Sequence, residues 1–159
     1  MVLRNGRGLI SSVFRQSSLQ QKKFTHAGFI RKIKNQWVVY HFIDDKIKSG
    51  MRIEPLQHFI DANSCSSYAF CRYQLSNQEK QRLDNIIAQS PKRQLSFDAD
   101  FNLQSDSAMY CTEWIAKSLD SATQQNDFVP QTTFEGLTYI APDNLYLNKH
   151  CMLIYQNRY

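Results

Sequence analysis

The sequence predicts an α+β fold built on a mainly antiparallel sheet. Three observations lead there. Apolar, β-prone runs fill the first half of the chain, helical periodicity follows, and one more strand-like run closes it. Regular strand–helix alternation and a Gly-rich phosphate loop are both missing, which argues against nucleotide-binding α/β folds. The 159 residues, 42% hydrophobic and 13% aromatic, suffice for one core and exclude disorder. Five Gly and four Pro exclude collagen-like and linker-like chains.

Each element has its own signal. Residues 11–23 are polar and rich in Gln and Ser, which predicts a long loop or weak helix. Residues 24–33 and Trp37-Val38-Val39-Tyr40-His41-Phe42-Ile43 flank the polar Lys34-Asn35-Gln36, and so predict a β-hairpin. Residues 46–53, with Gly50, read as a turn and a short strand. Glu54-Pro55-Leu56-Gln57-His58-Phe59-Ile60 reads as a short helix with Pro55 in its first turn. Residues 68–75 alternate as a strand, with Cys71 facing inward. Ser76-Asn77-Gln78-Glu79 is a capping box opening a helix with Leu83, Ile86 and Ile87 on one face and Pro91 beyond its end. Ser105 or Asp106 can cap a second helix, in which Ala108, Cys111, Ile115, Leu119 and Ala122 recur at helical spacing. Residues 123–131 are a polar connection, and Cys151-Met152-Leu153-Ile154-Tyr155 is a closing strand.

Nineteen basic against 14 acidic residues give +5. That excess permits anionic partners without demanding them. Arg31-Lys32-Ile33-Lys34 and Lys22-Lys23 read as solvated positions, so no nucleic acid is expected. The four cysteines, 65, 71, 111 and 151, form no CxxC pair, which excludes zinc-ribbon and thioredoxin chemistry. They read as reduced thiols. Cys65 and Cys71 are too far apart for a tight metal hook. His150 beside Cys151 has no nameable co-ligands and His58 reads as a surface residue, so no metal is expected. The start, Met1-Val2-Leu3-Arg4-Asn5-Gly6-Arg7-Gly8, holds no signal-peptide core, and no stretch is long and apolar enough to span a membrane. The expected location is cytoplasmic, with a removed signal or signal-independent export left open and membrane-surface contact permitted.

Cys111 is the cysteine placed for chemistry. At the start of a helix, the dipole and unpaired N–H groups stabilise a thiolate and an oxyanion. By position alone it serves equally as a filler in the stripe of Ile115 and Leu119. His26 and His41 fall near one another across the predicted hairpin, as a base and its orienting group would, or as two histidines with no shared task.

Taken together, the segments resemble permuted papain-like cysteine hydrolases, the YiiX-like branch of the NlpC-related enzymes. Residues 2–8 look like the opening strand and the loop beside the active site. Thr25-His26-Ala27-Gly28-Phe29-Ile30 looks like the histidine strand, and Trp37-Val38-Val39-Tyr40-His41 like the next. Arg52-Ile53-Glu54-Pro55-Leu56 resembles the segment before the short helix. Phe97-Asp98-Ala99-Asp100-Phe101 followed by Tyr110-Cys111-Thr112-Glu113 resembles the signature around the nucleophile. The match spans about residues 2–120 of a single domain, 1–159, leaving 121–159 as connection and closing strand. In ordinary papain-like enzymes the cysteine helix precedes the histidine strand; here it follows.

The resemblance implies a small antiparallel sheet or open barrel with the nucleophile helix packed on it. It implies Cys111 as nucleophile, His26 as base and acid, and His41 as the group orienting His26. Arg7, Gly8, Thr25 and Tyr110 fall in the substrate and oxyanion vicinity. Glu113 reads as a structural partner, to Arg4 or Arg7. Phe97 stands where relatives often place a Tyr, and lacks its hydroxyl. The chain opens inside the expected first strand, which suggests a minimal domain or one cut from a longer protein. No cofactor is implied. The expected reaction is attack by a Cys111 thiolate paired with protonated His26, then a thioester that water resolves. The leading substrate class is an amide in a small peptide, a cell-wall (peptidoglycan-type) peptide or an acyl-amide. A lipid acyl hydrolase or acyltransferase with the same Cys/His pair is the alternative, its groove lined by Phe14, Phe24, Phe29, Trp37 and Trp114. A non-catalytic binding module on the same fold is the second alternative.

Overall fold

The computed structural model describes residues 1–7, 16–44 and 49–159. Six strands form one sheet, ordered β4-β3-β2-β1-β5-β8, and every neighbouring pair is antiparallel. The strands are β1 (Val2–Gly6), β2 (His26–Ile33), β3 (Gln36–Ile43), β4 (Gly50–Pro55), β5 (Cys65–Tyr73) and β8 (Cys151–Arg158). The small hairpin β6 (Thr132–Phe134) and β7 (Leu137–Tyr139) stands apart. Among the described residues, the α-helices of four residues or more are α1 (Leu56–Phe59), α2 (Asn77–Gln89), α3 (Cys111–Thr123) and α4 (Pro142–Tyr146), and a 3-10 turn, Ser90–Arg93, follows α2. The sequence reading of 123–131 as connection holds, but β6, β7 and α4 beyond it were not anticipated. These three elements are only three to five residues long, too short for periodicity to register.

The β2–β3 hairpin turns at Lys34-Asn35, where Lys34 takes a left-handed φ of 52°. Strand β2 serves two partners. Its first residues, His26 to Gly28, pair with β1; from Phe29 onward it pairs with β3. Alternation sorts its side chains between two cores. Ala27 and Phe29 join Leu3, Tyr40 and Phe42 in the main core, where they meet Trp114, Ile115 and Leu119 of α3. On the reverse face, Val2, Val39 and Phe59 form a second cluster with Ile30 and Phe70.

Helix α3 is buried over ten of its 13 residues. Helix α2 packs beside it and donates from Arg82 Nε to the Ala122 carbonyl at 2.6 Å, capping the far end of α3. The start of α3 differs from the sequence expectation. Neither Ser105 nor Asp106 caps it; Tyr110 is the N-cap residue, and Asp106 pairs with Lys117 at 3.0 Å. Cys111 is thereby the first residue of the helix. No helix among the described residues is long and apolar enough to cross a membrane.

Candidate active site

Segments on either side of α3 fix where Cys111 sits. In the Phe97-Asp98-Ala99-Asp100-Phe101 signature, the buried Asp98 carboxylate accepts from the N–H groups of Asp100 and Asn102 at 2.9 and 2.7 Å. That folds the loop so that Phe101 meets the Tyr110 ring edge-on at 4.9 Å. From the other side, Ile140 N–H donates to the Tyr110 hydroxyl at 2.8 Å, and Thr112 Oγ1 donates to the Ile140 carbonyl at 2.6 Å. The segment before α4, which the sequence left without a role, thus buttresses the helix start.

Cys111 is 1% exposed. Its sulfur lies against the backbone N–H groups of Ala27, Thr112 and Cys111 itself, with the Arg4 charge nearby. Ala27 follows His26 directly, so the thiol comes to the strand end that carries this histidine. All of these contacts pull the thiol pKa down, but burial outweighs them and pushes it up to about 11.

The histidines meet. His26 Nε2 is 2.8 Å from His41 Nδ1, with the rings nearly perpendicular at 84°. By hairpin register His41 falls opposite Gly28, two residues past His26. Gly28 makes that approach possible: a Cβ there would lie 2.4 Å from Val39 Cγ1, 2.8 Å from the Tyr40 carbonyl oxygen and 3.2 Å from His41 Cβ. Behind His41, the Glu54 carboxylate on β4 stands 3.0 Å from Nε2, beside the ring N–H and off its axis. An anion there requires the proton on His41 Nε2. His41 Nδ1 then accepts from His26 Nε2–H, leaving the His26 Nδ1 lone pair for a thiol proton.

Burial, then the neighbouring Arg4 and His41, hold the His26 pKa well below the ordinary histidine value. Burial also lowers His41, outweighing Glu54. Glu54 stays below its ordinary value because His41, Arg4 and Arg52 more than offset its own burial. Thiol and imidazole are thus shifted in opposite senses, and both shifts favour the neutral pair. The expected resting thiolate–imidazolium pair has both shifts to overcome. It depends on the His26 charge and the helix dipole together outweighing burial at Cys111.

The other expected site residues have structural partners. Thr25 Oγ1 accepts from Gly6 N–H at 2.9 Å. Arg7 Nε donates to the carbonyls of Ala62 and Cys65 at 3.1 and 3.3 Å. The Tyr110 hydroxyl serves Ile140, and Gly8 lies outside the described residues. Glu113 meets neither Arg4 nor Arg7. It lies 3.0 Å from Lys117, one turn along α3, and accepts from Tyr110 N–H at 3.2 Å. The aromatic residues read as a groove are divided: Phe29 and Trp114 pack together in the core, Phe24 packs on Tyr146, Trp37 is 53% exposed, and Phe14 lies outside the described residues. Glu54 escaped as a site residue because its link to His41 depends on the β3–β4 register, and the sequence reading put it at the start of the short helix rather than on β4.

A cysteine heading a buried helix, after the histidine strand in sequence but against it in space, is the permuted papain-like arrangement. Family comparison agrees: the permuted papain-like amidase family YaeF/YiiX, C92, matches residues 9–155. The chain belongs to this family. No curated protein matches it. As a C92 member it is a papain-like cysteine amidase, and the family implies a peptide-like substrate.

Proposed function

We propose that this C92 enzyme hydrolyses an amide bond in a small peptide, a cell-wall peptide or an acyl-amide, through a thioester on Cys111. The observation that carries the reading is the chain Glu54–His41–His26, which ends at the residue preceding Ala27, whose N–H faces the Cys111 thiol.

The shifted pKa values make proton transfer part of the attack. His26 Nδ1 takes the thiol proton as the sulfur bonds to the carbonyl carbon. The resulting oxyanion forms at the start of α3, where backbone N–H groups that now face the sulfur can donate to it. His26 then protonates the leaving nitrogen, the C–N bond breaks and the amine departs. Water attacks the thioester carbonyl and gives a proton to His26. The C–S bond breaks, the sulfur recovers that proton, and the acid leaves. His41 keeps Nδ1 of His26 in the accepting tautomer throughout, and the Glu54 charge supports the imidazolium that forms transiently.

Acyl-enzyme trapping tests the proposal. The enzyme is mixed briefly with a panel of N-acyl amides and cell-wall tri- and tetrapeptides, acid-quenched, and its intact mass measured. The expected result is an acyl adduct mapped to Cys111 and absent in Cys111→Ala. Turnover of any panel amide by folded Cys111→Ala at the wild-type rate overturns the mechanism.

A further inference from the structure

A hydrogen bond between two imidazoles fixes one atom of each ring and leaves each plane free to turn, because the terminal χ2 torsion of histidine is soft. In this site a third ring fixes the planes. Phe59, the last residue of α1, is 0% exposed. It stacks on His26 at 5.5 Å and 29°, and meets His41 edge-on at 5.1 Å and 76°. Those two contacts fix the near-perpendicular rings across the 2.8 Å Nε2···Nδ1 contact, which by itself leaves the planes free.

Phe59 needs an anchor in turn, since a helix of four residues has no stability of its own. Arg4 supplies one. Its Nη1 donates to the Phe59 carbonyl at 2.9 Å, and its guanidinium carbon lies 4.3 Å over the same ring. Arg4 is also the register partner of His26 across β1 and β2, so one strand pair sets both the histidine and the group that holds its support. Val2 and Val39 are buried in one cluster with Phe59.

We propose that Arg4 and Phe59 are positioning residues of the amidase: Arg4 pins Phe59, and Phe59 sets the planes of His26 and His41. The inference rests on the catalytic reading of the histidines given above.

The test is the tautomer state of the histidines, read by long-range 1H–15N NMR at pH 7.5, which needs no substrate. Wild type is expected to show both His26 and His41 protonated on Nε2 only. Phe59→Leu, which fills the space without an aromatic face, is expected to average the two tautomers of His26. It should also slow acylation of Cys111 at least tenfold with KM little changed, and Phe59→Tyr should restore both readouts. Arg4→Met, which leaves the ring in place, should give the same tautomer averaging to a smaller degree, and carries the test if Phe59→Leu does not fold. Wild-type tautomers in a folded Phe59→Leu or Arg4→Met overturn the clamp and leave the hydrolase reading intact. Fixed wild-type tautomers released by these variants, with no acyl adduct on Cys111, support the clamp and overturn the hydrolase reading.

Discussion

Helices α2 and α3 have the same length, 13 residues, and differ in the side-chain capping of their first turns. At α2, Ser76 Oγ accepts from Glu79 N–H at 3.3 Å, and Ser76 N–H donates to Glu79 Oε2 at 2.7 Å. Orphan donors are thus satisfied by side chains. At α3 Glu113 repeats half of that box by accepting from Tyr110 N–H, but the N-cap hydroxyl of Tyr110 is occupied by Ile140, and the N–H groups of Cys111 and Thr112 face the thiol. A missing cap costs about 1 kcal/mol. Burial offsets that cost: ten residues of α3 are buried, against only Ile87 in α2. A helix held by its sides can leave its first turn open for chemistry, whereas a half-exposed helix depends on its cap.

The largest expected effect tests whether the open turn of α3 activates its thiol at rest. With the Cys111 pKa near 11, the thiolate fraction grows tenfold per pH unit up to that value. Iodoacetamide labelling of Cys111, followed by peptide mass spectrometry, is therefore expected to speed up about 1000-fold from pH 7 to pH 10. A rate already at its plateau below pH 7 would show that helix dipole and histidine outweigh burial, and the neutral resting pair would be wrong.

A smaller effect is expected one step back from the thiol. A carboxylate only accepts, so Glu54 permits a single His41 tautomer; an amide can donate as well. Glu54→Gln is expected to lower kcat on the order of 10- to 100-fold, by releasing that tautomer and removing the charge behind the imidazolium. Glu54 is partly exposed at the sheet edge, so the thermal midpoint should move little. An unchanged kcat would remove Glu54 from the chain and leave His41 as its end.

These two groups also differ in how visible they were in the sequence. Cys111 stood out because a helix start has a local signature, and His26 and His41 because a two-residue turn nearly fixes hairpin register. The burial of the thiol was hidden, since it comes from the packing of distant segments. Glu54 and Phe59 were hidden for a related reason: both reach the histidines through contacts outside the hairpin, one across β4 and one from a four-residue helix on the reverse face. The start of α3 was misplaced by four or five residues because Ser105 and Asp106 look like caps. Ser105 instead turns back on Ser107, and Asp106 on Lys117, while the true start is set by Ile140, thirty residues later.

The smallest effect on activity is expected where the effect on stability is plainest. Ser76→Ala removes the side-chain acceptor of the α2 cap and leaves Glu79 N–H to solvent. The expected loss is about 1 kcal/mol, read as a lower denaturation midpoint at unchanged m-value. Acylation of Cys111 should stay at the wild-type rate, because Ser76 caps the opposite end of α2 from Ser90, which holds Trp114, and Arg82 of α2 supports the far end of α3. A drop in acylation matching the stability loss would mean that the fraying of α2 reaches the thiol, and that the two helices act as one unit. An unchanged rate would show that the open first turn of α3 is held from its own side of the fold, by Asp98, Phe101 and Ile140, independently of the capped helix beside it.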